Sequence, residues 1–294
     1  MKNRNSIGHL TALFTIIIWG TTFISTKILL NEFSPVEILF IRFVIGYLAL
    51  IAASPKPLRT SCPKEEGVFI AAGLSGICLY YLLENIALTY TLASNVGIMV
   101  SIAPFFTAIL TQIFLKGEEH LNKHFFIGFV ISILGIILIS FNGSRLKLNP
   151  LGDLLAIAAA LMWGFYSILT KKIGSYGYSL ISCTRRTFFY GILFMIPALF
   201  LLDFRADALL HFVETPYLYH FLFLGLGACA LCFVTWNFAV KILGAVKTSV
   251  YIYLVPVITI VASVFFLHEN VTLLSVLGTV LILLGLFLSE RNGH

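Results

Sequence analysis

The chain has 294 residues, 59% of them hydrophobic and 11% charged, with a net charge of +6 and a mean hydropathy of +0.99. A water-soluble domain carries about 25% charged residues, so this composition excludes a soluble globular protein. What it predicts is an all-α membrane protein of many spans, each near the ~20 residues that cross a bilayer.

In chain order, Lys2 and Arg4 precede an apolar run that imitates a signal peptide. The run is long and no small-residue cleavage site follows, so a retained first helix is expected. Ten transmembrane helices are predicted, at about residues 9–29, 35–54, 67–90, 94–115, 122–141, 152–173, 179–202, 217–240, 246–267 and 271–289. Pro35, Pro55 and Pro216 punctuate their ends, because proline resists continuing a helix. The longest connection, 203–216, mixes Asp203, Arg205, Asp207 and Glu214 and is too short for a soluble domain.

The chain also repeats itself. Trp19-Gly20, Lys27 and Arg42 return at an offset of 144 residues as Trp163-Gly164, Lys171 and Arg186. Asn85, Ala87, Ala93 and Pro104 return at an offset of 152 as Asn237, Ala239, Ala245 and Pro256. Glu119, Gly128 and Gly135 return at an offset of 150 as Glu269, Gly278 and Gly285. Two units follow, 9–141 (spans 1–5) and 152–289 (spans 6–10). Five spans per unit is an odd number, so the second copy enters the membrane from the opposite side. Two inverted five-helix repeats around a midplane cavity is a common transporter plan.

With the N-terminus inside, inner segments hold twelve of the Lys and Arg residues, and outer loops only three: Arg145, Lys147 and Arg205. Lys27, Arg42, Arg185 and Arg186 lie within spans. This asymmetry places both termini in the cytoplasm and the chain in the cell (inner) membrane. It also explains the positive charge, so nucleic acid is not an expected partner; the lipid bilayer and a small-molecule substrate are.

The stretches "IIIWGTTFISTKILL", "PVEILFIRF" and "ENIALTYTLASNVGIMVSIAPFFTAIL", with the second copies "ALMWGFYSILTKK" and "WNFAVKILGAVKTSVYIYLVPVITIV", resemble the drug/metabolite transporter (DMT) superfamily, in its EamA-type branch of ten-helix exporters. The resemblance covers almost the whole chain. It implies a cavity lined mainly by spans 1, 3, 4 and 6, 8, 9, alternating access, and export of amino acids or similar small metabolites. The second copy departs from the first: Glu84 is answered by Trp236 and Asn95 by Lys247. The two halves are therefore not expected to contribute equally to the site.

Glu84 lies about seven residues inside the end of span 3, roughly 10 Å deep at 1.5 Å per residue. A carboxylate there costs about 2.5–3.5 kcal/mol on insertion scales unless paired or hydrated. It reads as a substrate-ammonium contact or coupling carboxylate, or else as a structural ion pair or a protonated helix–helix hydrogen bond. Arg42, at similar depth in span 2, could pair with Glu84, bind a substrate carboxylate bidentately, or snorkel to the interface. Arg186 mirrors it near the inner side. Lys27, Lys171, Arg185 and Arg186 read as interface anchors, and Glu37 as a helix-start acid facing the outer interface.

Trp19 and Trp163 are too deep for an interfacial belt, so they line the cavity or fill the core. Tyr80 and Tyr81 flank the face of Glu84 at i, i+4 and i, i+3, which suits an organic cation or zwitterion as well as core filling. Asn85 and Asn237 are matched amides, either interhelical glue or ligand contacts, and Trp236 and Asn237 are expected to face the first half across the site. Pro104 and Pro256 should free the carbonyls near Val100 and Ile252 and kink or hinge the cavity wall. Gly128/Gly135 and Gly278/Gly285 mark close packing within one chain or across a dimer, so monomer and homodimer stay open. Glu119 and Glu269, with Asn122 and Asn270 nearby, suit helix starts.

Weaker patterns are set aside. Cys229-x-x-Cys232 lies inside a span, away from any thioredoxin-like context. Gly225-x-Gly227-x-x-Ala230 has no strand before it. His120 and His124 beside Glu118 and Glu119 form a solvated loop rather than a converging metal site. No cofactor or metal is expected, no Walker A pattern is present, and no paired His and Asp at one depth suggests an enzyme. The expected function is secondary export of small polar metabolites, amino acids or derivatives, by alternating access. The alternatives are a multidrug or nucleoside-type carrier, or a membrane sensor or enzyme that keeps the scaffold without translocating anything.

Overall fold

A computed structural model describes residues 2–90, 93–115, 123–140, 149–202, 204–205, 208–258, 261–262 and 273–290. Glu118, Glu119, His120, Asn122, Glu269 and Asn270, and the side chains of Lys27 and Asn95, lie outside the described residues.

Among the described residues every regular element is helical. Six helices are long and apolar enough to span a bilayer: 4–26, 35–53, 63–90, 150–175, 180–201 and 217–243. Four shorter apolar helices, Ala103–Phe114, Lys123–Leu138, Ala245–Ile258 and Val276–Ser289, stand where the remaining predicted spans fall. Outward faces carry exposed Leu48, Ile127, Val130, Leu134, Leu277 and Phe287, apolar surface that suits lipid rather than water.

The first half comprises α1 (Lys2–Leu29), α2 (Pro35–Ala53), α3 (Pro63–Ala72), α4 (Tyr80–Tyr90), α5 (Ala93–Val100), α6 (Ala103–Phe114) and α7 (Lys123–Ser140). The second comprises α8 (Pro150–Ser175), α9 (Leu180–Leu201), α10 (Ala208–His211), α11 (Tyr217–Leu222), α12 (Cys232–Leu243), α13 (Ala245–Ser249), a 3-10 stretch at Val250–Leu254 and α14 (Leu273–Glu290). The first helix starts at Lys2, earlier than expected, and the described residues of the 203–216 connection include one short helix, α10.

Local chemistry starts the helices. Ser34 caps α2 in a reciprocal box: the Glu37 amide donates to Ser34 Oγ at 3.4 Å and the Ser34 amide to Glu37 Oε2 at 2.7 Å. Pro35 and Pro150 occupy first-turn positions that need no N–H donor. Asn149 Oδ1 accepts the Leu151 and Gly152 amides at 3.2 Å, holding the start of α8. Glu37 does not face the interface. It is fully buried, because Arg205 folds over it, donating from its amide (2.9 Å) and Nε (3.4 Å) to Glu37 Oε1.

Between α3 and α4, Gly73–Leu79 is a π-helix, and between α11 and α12, Phe223–Leu231 is another. They occupy matching places in spans 3 and 8. Each packs on the second span of the other half. A Cβ on Gly73 would stand 2.7 Å from Thr187 O of α9, and one on Gly225 would stand 3.1 Å from Arg42 O of α2. Small residues let the backbones cross closely, and the wider π turns keep the chain continuous there.

The paired glycines are explained within one chain. A Cβ on Gly135 of α7 would lie 2.5 Å from Gly278 O of α14, and a Cβ on Gly285 2.5 Å from Gly128 O. Gly135→Leu is therefore expected to lower stability by about 1–3 kcal/mol through overpacking. The thermal midpoint of the detergent-solubilised protein checks this.

Candidate functional site

A cleft with about 730 Å³ of atom-free space, its mouth included, is lined from both halves. Its α1 wall is Ile16, Trp19, Thr22 and Thr26, one helical face by their spacing. Arg42 of α2 enters beside Tyr80, Tyr81, Glu84, Asn85 and Leu88 of α4. Gly97, Val100 and Ser101 close another side, with Trp163 of α8 and Ile252 and Val255 opposite. Thr26 and Leu88 lie near the ends of their helices, so the cleft runs from the middle of the bundle toward the end where α1 finishes and α2 begins. Apolar walls with few polar groups are the usual make-up of a small-molecule site.

The floor is aromatic. The chain's three tryptophans meet at it and just beneath it, with ring centroids 5.3 Å apart for Trp19–Trp163, 5.1 Å for Trp19–Trp236 and 6.0 Å for Trp163–Trp236. Tyr80 stands 4.8 Å from Trp163 and 4.7 Å from Tyr81. Trp19 Nε1 donates to Ala228 O at 2.9 Å, a carbonyl of the second π-helix. The indole N–H groups of Trp163 and Trp236 are buried and have no hydrogen-bond partner. Trp163 lines the cleft through its ring.

Two opposite charges stand above this floor without touching. Arg42 is 3% exposed and Glu84 7%. Arg42 Nε donates to Cys229 Sγ at 3.2 Å, and its guanidinium carbon lies 4.8 Å from the centroid of Tyr81, a cation–π contact. Glu84 Oε1 accepts from Tyr80 OH at 3.3 Å. The direct Arg42–Glu84 pair open from the sequence does not form, because the second π-helix brings Cys229 to the guanidinium and Tyr80, one turn earlier in α4, donates to the carboxylate. Both charges keep unused hydrogen-bonding capacity at the cleft wall.

Seven of the nine residues singled out from the sequence, Trp19, Arg42, Tyr80, Tyr81, Glu84, Asn85 and Trp163, line this cleft; Trp236 and Asn237 do not. Trp236 is fully buried beneath the floor. Asn237 accepts from Tyr166 OH at 3.0 Å and donates to Thr184 Oγ1 at 3.1 Å, tying α12 to α8 and α9. Asn85 Nδ2 donates to Pro35 O at 3.2 Å, tying α4 to the start of α2. Each amide thus binds the third span of its half to the second. Asn237→Ala is expected to destabilise the fold by about 0.6–1.7 kcal/mol, the range for hydrogen bonds between membrane helices. Thermal unfolding in detergent measures that cost.

Span 2 therefore supplies a cleft residue that the family resemblance did not anticipate, while span 8 supplies none, because Phe233 and Trp236 fill the space below the floor. Arg186, the counterpart of Arg42, lies elsewhere: it is paired with Glu66 at 2.7 Å near the opposite end of the bundle. Pro104 sits in the first turn of α6, after the turn at Ser101 and Ile102 that separates it from α5. Pro256 follows the 3-10 stretch. Val100 and Ile252, one turn before each proline, both reach the cleft. Thr22, Thr26 and Ser101 were not singled out from the sequence. The spacing i, i+3, i+7 from Trp19 gives the two threonines, and the turn before Pro104 gives the serine.

The EamA-like transporter family matches residues 6–141 and again 150–291. An "Uncharacterized transporter" of Archaeoglobus fulgidus is 28% identical over 99% of both chains. A Streptantibioticus cattleyicolor protein named "Probable terminal-alkyne amino-acid exporter" is 25% identical over 95% of this chain and 92% of its own. A crystal structure 18% identical, covering 99% of this chain and 100% of its own, superposes with a TM-score of 0.79 and shares the fold. Two matches of the family in tandem, over an all-helical bundle with a cleft between its halves, lead to one conclusion: this chain is a membrane transporter that belongs to the EamA-like transporter family of the drug/metabolite transporter superfamily.

Proposed function

We propose that the protein is a secondary transporter that exports small zwitterions, amino acids or their derivatives, across the cell membrane by alternating access. The observation that carries this reading is the pair of buried, opposite and mutually unbonded charges, Arg42 and Glu84, on one cleft wall. A substrate carboxylate fits the guanidinium fork and a substrate ammonium fits the carboxylate. A zwitterion would supply both counter-charges at once. The aromatic floor accepts an apolar side chain.

Alternation follows from the inverted halves. Backbone geometry departs from the α-helix at the π-helices Gly73–Leu79 and Phe223–Leu231 and at the breaks before Pro104 and Pro256. Their matched positions make them the natural hinges for rocking one half on the other. At the far end, His9 Nδ1 lies 2.7 Å from Tyr251 OH, and Thr15 Oγ1 2.7 Å from Thr235 Oγ1. These contacts join α1 to the second half below the floor and must part when the cleft opens on that side. The cation asymmetry of the sequence supports a cytoplasmic position for that end.

Counterflow of labelled neutral amino acids in proteoliposomes tests the reading. Saturable exchange of at least one of them supports it. Exchange of organic amines alone, with no amino acid carried, would move the assignment to a cation or multidrug carrier, which the aromatic floor and Glu84 would also serve.

A further inference from the structure

A second pocket lies at the opposite end of the bundle, between α2 and α9 beneath the connection that follows Ala53, with about 600 Å³ of atom-free space, its open mouth included. Arg185 and Arg186 form its basic wall, and Tyr47, Ile51, Leu58 and Phe189 its apolar one. The apolar wall continues onto an outward face where Leu48 and Leu193 are exposed, so the pocket joins surface that faces the acyl chains.

The charge in this pocket is not balanced. Arg186 is answered by Glu66 at 2.7 Å. Arg185 is 7% exposed, and its guanidinium donates to two carbonyl oxygens, Ser54 O and, at 2.6 Å, Lys56 O. No carboxylate pairs with it among the described residues. Carbonyls satisfy donors but leave the positive charge in place, and a buried cation without a counter-charge is costly. The pocket lining carries two guanidinium groups and no carboxylate; Glu66, which pairs with Arg186, is not part of that lining.

We propose that this pocket holds the headgroup phosphate of an anionic phospholipid, with an acyl chain lying along Tyr47 and Phe189 in the groove between α2 and α9. The phosphate supplies the charge that Arg185 lacks and accepts from the N–H groups of Arg186 that Glu66 leaves free. Basic pockets between transmembrane helices are the known form of such sites, and a zwitterionic headgroup gains less because its ammonium cancels the attraction. The lipid would fasten the 54–62 connection to α9, the part of the bundle that Arg185 already holds through Ser54 and Lys56.

Native mass spectrometry of the full-length detergent-solubilised protein, offered equal palmitoyl-oleoyl phosphatidylglycerol and phosphatidylcholine, tests this. The expected result is preferential retention of the phosphatidylglycerol, on the order of fivefold for each arginine engaged. Leu58→Glu adds a carboxylate to the pocket while leaving both arginines in place, and is expected to abolish the preference. Arg185→Gln should do the same where the variant stays monodisperse. Equal retention of the two lipids by the wild type overturns the proposal, as does an undiminished preference in Leu58→Glu. Displacement of the phosphatidylglycerol by millimolar inorganic phosphate would also overturn it, showing a site for the free anion rather than for a lipid.

Discussion

Glu84→Gln is expected to cut counterflow of a transported amino acid roughly 10- to 100-fold, the loss corresponding to a hydrogen bond to a charged group, about 1.5–3 kcal/mol. The substitution keeps the shape of the side chain and an oxygen for the Tyr80 hydroxyl, now 3.3 Å from Glu84 Oε1, so the fold should survive. What disappears is the negative charge proposed to face a substrate ammonium. Thermal unfolding of the same preparation separates the two effects, since a transport loss with an unchanged midpoint belongs to the site. Unchanged flux would remove Glu84 from substrate recognition and leave it a structural acceptor for Tyr80.

Arg42 gives the complementary result. Arg42→Lys keeps a positive charge but loses the planar fork and its stacking on Tyr81, so flux of an amino acid should fall by about tenfold or more. Arg42→Gln should fall further, yet spare any carried amine that lacks a carboxylate, because only the carboxylate needs the guanidinium. The pattern across substrates decides the matter. If amine and amino-acid flux fall together, Arg42 acts by holding Tyr81 and Cys229 in place rather than by binding substrate.

Much of the architecture was legible in the sequence because it depends on counting. Sparse charge over long apolar runs requires burial in lipid, and five spans between repeated motifs require inversion. Depth was legible too, since distance along a helix converts directly to ångströms. Trp19 and Trp163 were placed at one level this way, and they meet at 5.3 Å. The matched prolines were legible for a related reason: proline removes a donor wherever it stands, and both broken segments reach the cleft.

Which side of a helix a residue faces, and what it meets there, was decided only by the tertiary structure. Trp236 occupies the place in span 8 that Glu84 occupies in span 3, yet it lies under the floor while Glu84 lines the wall. Each of these residues follows a π-helix, whose wider turns break the 3.6-residue count, so faces reckoned from the helix start lose register before reaching them. Partner choice was hidden for the same reason. The sequence brings Arg42 and Glu84 to one depth, but the opposite half supplies Cys229 to one and the adjacent turn supplies Tyr80 to the other. Arg186 matches Arg42 in position and finds Glu66 instead. Composition and spacing are properties of one chain segment at a time, and they determined the membrane class, the ten segments and the inverted duplication. Pairing across the interface between halves depends on helix rotation and on which backbones can approach closely. Tertiary packing therefore decided that the two cleft charges stand apart, each with its own protein partner.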